Sequence, residues 1–164
     1  MLFFYRLLIN CVFIISPIIL IFRLIKKKES LSRFREKFCF HTENRANGKI
    51  LWFHGASVGE LQSIIPLIEK LENSRRIKQI LITSNTLSSS KIMEKVKSKK
   101  IVHQFFPMDT SFFCKKFLDY WKPSLVFFID SEIWPNMTYY LNKRKITFGL
   151  INGRITKKTF NRWK

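Results

Sequence analysis

Two acidic residues stand where short apolar runs give way to polar turns. Glu60 closes the stretch His54-Gly55-Ala56-Ser57-Val58-Gly59-Glu60, and Glu132 lies within Asp130-Ser131-Glu132-Ile133-Trp134-Pro135-Asn136. Two carboxylates from separate loops on one rim would suit general-base activation of a hydroxyl nucleophile, provided one comes within hydrogen-bond reach of it. Each acid also has a plainer reading. A carboxylate in the first turn of a helix is stabilised by the helix dipole, which describes Glu60. Gly59 before it lets another backbone or a ligand approach closely. Glu132 follows the most apolar run of the chain, where an acid must be paired or functional because burying it alone is costly. His54 reads equally as a satisfied histidine at a strand end, and is not the expected base.

The elements that must position these acids follow from periodicity. Residues 50–53 are an apolar run short enough for one buried strand, and Leu61, Ile64, Ile65, Ile68 and Leu71 then recur at helical spacing. Residues 80–83, 101–106, 125–129 and 146–151 are further strand candidates. Between them, Ile92, Met93 and Val96 mark one helix, with Ser88 or Ser89 as its expected N-cap. Phe113, Phe117, Tyr120 and Trp121 form the aromatic face of another, stopped by Pro123, and a short helix runs to about Leu141. Strands alternating with helices predict an α/β fold: a parallel, Rossmann-like sheet with helices on both faces and right-handed crossovers. Ligands bind such sheets beyond the carboxyl ends of the strands. The polar clusters at 54–60, 84–90, 107–109, 130–136 and 152–154 fall at those ends, and for 84–90 helix capping is the better explanation.

Before this domain, residues 2–22 are almost wholly apolar, interrupted by Arg6, Asn10 and Ser16-Pro17, and followed by Arg23 and Lys26-Lys27-Lys28. A cleaved signal peptide is disfavoured because no small-x-small site follows. A buried helix would be apolar on every face. A membrane anchor over residues 1–28 accounts for both the run and its basic flank, which would keep the following domain cytoplasmic; whether it spans the bilayer or lies in the interface stays open. Residues 29–48 read as a polar connector, with the globular domain, 49–164, beginning near Lys49.

The chain of 164 residues is long enough for one domain with a real core, and its formal charge of +19 suits a polyanionic partner. The plainer reading is a genome biased towards Lys, Ile, Phe and Asn codons, so charge alone names no partner. Neither GxGxxG nor GxxxxGK[ST] occurs, which disfavours kinases, GTPases and dehydrogenases. Three scattered cysteines and three scattered histidines give no metal-ligand spacing, so no metal is expected, and without a disulfide framework they fit a reducing compartment. The basic residues build no recognition helix or aromatic-interleaved sheet, so nucleic acid is an improbable partner.

Three blocks, residues 54–60, 130–136 and Asn152-Gly153-Arg154-Ile155-Thr156, resemble the signature blocks of the Kdo (3-deoxy-D-manno-octulosonic acid) transferases of lipopolysaccharide biosynthesis. Thr83-Ser84-Asn85-Thr86 and Phe106-Pro107-Met108-Asp109 resemble the intervening blocks, in the same order. The resemblance implies a GT-B glycosyltransferase of two Rossmann-like domains, moving Kdo from CMP-Kdo to lipid IVA at the cytoplasmic face of the inner membrane without metal or other cofactor. It implies Glu60 as catalytic base, with Ser57, Gly59, Glu132, Asn136 and Arg154 binding the acceptor or supporting the site. Members of the family carry a donor-binding domain after the Asn-Gly-Arg block, so this chain reads as the acceptor-binding half, inactive alone. Gly55 and Gly153 stand where the family often has Ala. The competing expectation is a non-catalytic, membrane-anchored cationic module that binds anionic lipid.

Overall fold

The structure, a computed structural model, describes residues 2–94, 96, 98–130, 133–153 and 161. Its centre is a five-stranded, wholly parallel sheet of β1 (Ile50–His54), β2 (Gln79–Ser84), β3 (Ile101–Phe105), β4 (Leu125–Ile129) and β5 (Thr147–Ile151). The spatial order is β3-β2-β1-β4-β5, with Phe53 paired to Ile82 on one side and to Phe127 on the other. The order of connection reverses between β1 and β4, and the crevice beyond their carboxyl ends is where such a sheet binds ligand.

Alternation along the strands sends side chains to two cores. Ile50 and Trp52 of β1, with Val126 and Phe128 of β4, pack under α4 (Ser111–Trp121) and α5 (Pro135–Lys143). Leu51 and Phe53, with Ile80 and Ile82 of β2, pack under α2 (Val58–Glu72) and α3 (Leu87–Met93). The expected helix faces hold: Leu61, Ile64 and Ile68 of α2 and Phe113, Phe117 and Trp121 of α4 are buried. β5 is more open, with Phe148 and Leu150 exposed.

Two local expectations change. The cap of α3 is Thr86, whose Oγ1 accepts the Ser89 amide, not Ser88 or Ser89; its backbone is extended, as an N-cap requires, while the serines are already helical. Residues 29–48 are more than a polar connector. A 3-10 turn (Phe34–Phe38) carries Glu36 into full burial, where it accepts from Arg33, Thr42 and the amide of Phe105 in β3. Cys39 joins the core under α4, so the packed unit begins well before Lys49.

The apolar N-terminal run forms α1 (Leu2–Ile25), one continuous helix through Pro17. Proline at that position frees the carbonyl of Phe13, and the Ser16 hydroxyl donates to it at 2.7 Å. Among the described residues, α1 is the helix long and apolar enough to cross a membrane.

Candidate active site

The rim beyond β1 and β4 is built from loops that the sequence separates widely. β1 ends at His54, the chain turns through Gly55 and Ala56, and Ser57 caps α2 with extended backbone. The Ser57 Oγ accepts the Glu60 amide at 3.3 Å, and its hydroxyl donates to Glu60 Oε1 at 2.7 Å. The other carboxylate oxygen, Oε2, accepts the Ala56 amide at 2.8 Å. This is a capping box by its Ser-x-x-Glu spacing, with the difference that Glu60 reaches back to the amide of Ala56, one residue before the N-cap Ser57. It also fixes the carboxylate at the rim. Among the described residues Glu60 forms no ion pair. A carboxylate has about four lone-pair sites, so two accepted bonds leave capacity for a substrate hydroxyl.

Gly59, the next position of interest, is exposed, and a Cβ built there meets nothing within 4 Å. Among the described residues no neighbour requires glycine there, and none of them fills the space one residue from the Glu60 backbone. Gly55 differs: its Cβ would lie 3.0 Å from side-chain atoms of Ile129 and Leu61, so the turn packs tightly against β4 and α2.

His54 is fully buried and bound on both ring nitrogens. Nδ1 lies 2.9 Å from Thr83 Oγ1, and Nε2 accepts the Trp134 indole N–H at 3.1 Å. An indole N–H only donates, so the ring proton is assigned to Nδ1, facing Thr83. Phe106 fills the space between these rings, its centroid 4.0 Å from His54 and 5.2 Å from Trp134. The ends of β1, β3 and β4 are thereby clamped together by aromatic contact. Beyond β5, Asn152 Nδ2 donates to Ser63 Oγ at 3.3 Å, one turn along α2 from Glu60. His54 is a satisfied strand-end histidine, as the plainer reading had it.

Asn136 sits at the start of α5 and is fully buried. Its Nδ2 donates to the Asp109 carbonyl, and its Oδ1 accepts from Arg6 Nε at 2.9 Å. α5 begins with Trp134 and Pro135, which provide no side-chain cap, and Asp109 supplies one from another loop. Asp109 Oδ2 and Oδ1 each accept an amide at 2.9 Å, from Asn136 and Met137, and the Tyr5 hydroxyl and Cys114 thiol complete the set. Burial pushes the Asp109 carboxyl above the usual carboxylate range, while these four donors pull it back. In the sequence Asp109 stands out only as one member of the polar cluster at 107–109 and of the Phe106–Asp109 block, with no role of its own. The signal was α5's missing cap, but nothing in the sequence says which distant group fills it.

A cavity of about 390 Å³ opens beside this rim, walled by Ile9 and Arg23 of α1 and by Asn85, Phe106, Met108 and Trp134. Glu60 does not line it; the cavity lies on the Phe106–Trp134 side of the crevice. Of the expected site residues, Ser57, Gly59 and Glu60 meet at the head of α2, and Asn136 buttresses the start of α5, which packs on the other face of the sheet. Glu132 and Arg154 lie outside the described residues. Among the described residues no three His, Cys, Asp or Glu side chains gather to hold a metal ion.

Known proteins resemble this chain in sequence. A family model described as 3-deoxy-D-manno-octulosonic-acid transferase (kdotransferase) matches residues 32–164. A probable mitochondrial 3-deoxy-D-manno-octulosonic acid transferase of Arabidopsis thaliana is 32% identical over 98% of this chain. The 3-deoxy-D-manno-octulosonic acid transferase of Rickettsia bellii is 36% identical over 93% of it, and that of Rickettsia felis 40% identical over 70%. The chain spans 37% of the length of the first two of these curated relatives and 24% of the third. The match begins at residue 32, inside the segment that carries Glu36 and Cys39 into the core. On the family match over most of its length and the five-stranded parallel sheet that goes with it, the chain belongs to the 3-deoxy-D-manno-octulosonic acid transferase family of glycosyltransferases.

Proposed function

We propose that this chain is the acceptor-handling half of an enzyme that transfers Kdo from CMP-Kdo to lipid IVA. The observation that carries the reading is the Glu60 carboxylate, held at the rim by Ser57 and Ala56 with lone pairs left over. Glu60 accepts the proton of an acceptor sugar hydroxyl as that oxygen attacks the anomeric carbon of Kdo. The new bond is carbon to acceptor oxygen; the bond that breaks joins the anomeric carbon to the phosphate oxygen of CMP, which leaves with the electron pair. The open space at Gly59 admits the sugar. Glu132 and Arg154, which follow β4 and β5 in the sequence, are assigned to orienting the acceptor. The donor is held by a second nucleotide-binding half, so the chain alone binds acceptor without turning over.

The site works at a membrane. The lipid substrate, the apolar α1 and the +19 charge support attachment to the cytoplasmic face of the inner membrane. Each well-placed Lys or Arg adds about 1 kcal/mol of attraction to an anionic surface.

The test is Kdo transfer by protein that includes the donor half, measured with lipid IVA and CMP-Kdo, for wild type and Glu60→Ala. Loss of turnover with retained folding and acceptor binding is expected. Near-normal turnover in the variant would remove Glu60 as base. Lipid binding with no transfer even in the wild type would favour a non-catalytic cationic module.

A further inference from the structure

α1 touches its own domain along its whole length. Near its start, Tyr5 donates to Asp109 at 2.8 Å, and Arg6 reaches Asn136 while its guanidinium lies 4.7 Å from the Tyr139 ring centroid. In the middle, the Phe13 ring packs edge-on against Phe113 at 5.6 Å, and Ser16 is buried. Near its end, Arg23 donates to the buried Glu29 at 2.7 Å, and Lys37 binds the same oxygen. Tyr5, Arg6, Ile9, Ser16 and Arg23 follow one another at helical spacing, so they form a single stripe facing the protein. Two of the polar interruptions of the apolar run, Arg6 and Ser16, fall on that stripe, as does Arg23, which follows the run.

The opposite face is apolar and open. Phe3, Ile14 and Ile25 are 71%, 76% and 74% exposed, and a spacing of eleven residues is close to three turns, so all three lie on one line. Tyr5 and Arg23 are about 27 Å apart along the axis, nearly the roughly 30 Å of a bilayer's hydrocarbon core. For α1 to cross that core it would have to leave the domain, taking Tyr5 from Asp109 and carrying Arg6 towards lipid. Alternatively it would drag Glu29, Lys37 and Asp109 into hydrocarbon with it. Neither is compatible with the contacts present.

We infer that α1 lies in the plane of the membrane interface, clamped lengthwise to its domain with the Phe3–Ile14–Ile25 line in the acyl region, and does not span the bilayer. An interfacial helix ordinarily needs a charged face turned to water. Here the protein takes the place of water on that side, so a helix that is apolar nearly all round can still lie flat. Lys26, Lys27 and Lys28, all exposed at its end, meet the headgroups. The arrangement has a consequence for the site: Ile9 and Arg23 wall the cavity beside Phe106 and Trp134, so the rim opens at headgroup depth. This inference rests on the membrane attachment proposed above.

The test is depth measurement on the full chain carrying Cys11→Ser, which leaves only the buried Cys39 and Cys114 as native thiols. A nitroxide is placed at Phe3, Ile14 or Ile25 through a cysteine substitution, and the protein is bound to phosphatidylethanolamine–phosphatidylglycerol vesicles. Relative accessibility to oxygen and to a nickel chelate reports depth. All three labels are expected at one shallow depth, about 5–10 Å below the headgroup boundary. A spanning helix would put Ile14 near the bilayer centre, about 15 Å deep, with both ends shallow, and would overturn the in-plane placement alone. Failure of the protein to sediment with the vesicles would overturn the membrane reading as well.

Discussion

Ser57 and Glu60 hold each other at the head of α2: the serine oxygen accepts the Glu60 amide, and its hydroxyl donates back to the carboxylate at 2.7 Å. The same carboxylate therefore starts a helix and stands at the binding rim. Substitution can separate the two roles, because a capping box works with Gln as well as Glu. Glu60→Gln in protein that includes the donor half is expected to shift unfolding by less than about 1 kcal/mol. Transfer should fall at least about 100-fold, since an amide cannot take the acceptor proton. Denaturant titration and a transfer assay on one preparation check both. A parallel loss of stability and activity would make Glu60 a cap and nothing more.

Gly59 gives a second separation. Its Cβ would meet nothing among the described residues and its backbone is helical, so Gly59→Ala strains none of them. Replacing a helical glycine stabilises by up to about 1 kcal/mol, less near a helix end. The variant is expected to melt no lower than wild type yet to bind acceptor more weakly, because the methyl group occupies space beside Glu60. Unchanged acceptor affinity would mean that the sugar does not approach there.

How much of this was legible in the sequence depends on the range of the interaction. β1 and α2 were readable because the apolar run at 50–53 and the spacing of Leu61, Ile64 and Ile68 encode them locally. Glu60 was found at the junction, although the Ser57 spacing that makes it a capping box went unused. Asp109 was not readable as the cap of α5, since its partners Asn136 and Met137 are 27 and 28 residues away and Tyr5 is 104 away. The burial of Glu36 was hidden for the same reason. Ser32-Arg33-Phe34-Arg35-Glu36 has the composition of a solvated segment, and only β3's Phe105 amide, 69 residues on, shows where it goes.

Glu36 therefore carries a prediction about where the folded unit starts. Its carboxylate is fully buried against Arg33, with Thr42 and Phe105 as further donors. Removing Glu36 leaves the buried Phe105 amide without its acceptor, while Arg33 keeps Glu94 and the His103 carbonyl, at a cost of about 1–3 kcal/mol. Glu36→Ala is expected to lose that much, and a chain beginning at Lys49 is expected not to fold, because Cys39 and the cover over β3 go with it. Circular dichroism melting of both settles the point. A stable, cooperative 49–153 fragment would show the turn to be dispensable.

His103 ties the stability of the fold to acid. Arg33 can only donate, so its 2.9 Å contact makes Nδ1 the acceptor, and the other ring nitrogen, Nε2, donates to Ser84 at 2.8 Å. Burial, with the Arg33 charge adding to it, pushes the imidazole down to about 3 from its ordinary 6.5. The unfolded chain then binds more protons than the folded one between those two values. Stability contributed by His103 is accordingly full above pH 6.5 and is lost as pH falls towards 3, a change of order 4 kcal/mol over the whole window. His41, also lowered by burial, acts in the same direction, so His103 supplies part of the slope. Glutamine can reproduce both bonds, its oxygen accepting from Arg33 and its amide donating to Ser84, without taking up a proton. Urea midpoints measured from pH 7 to pH 4 should fall steeply for wild type and less for His103→Gln, with similar values at pH 7. Equal slopes for the two proteins would mean that His103 is not the group that acid attacks.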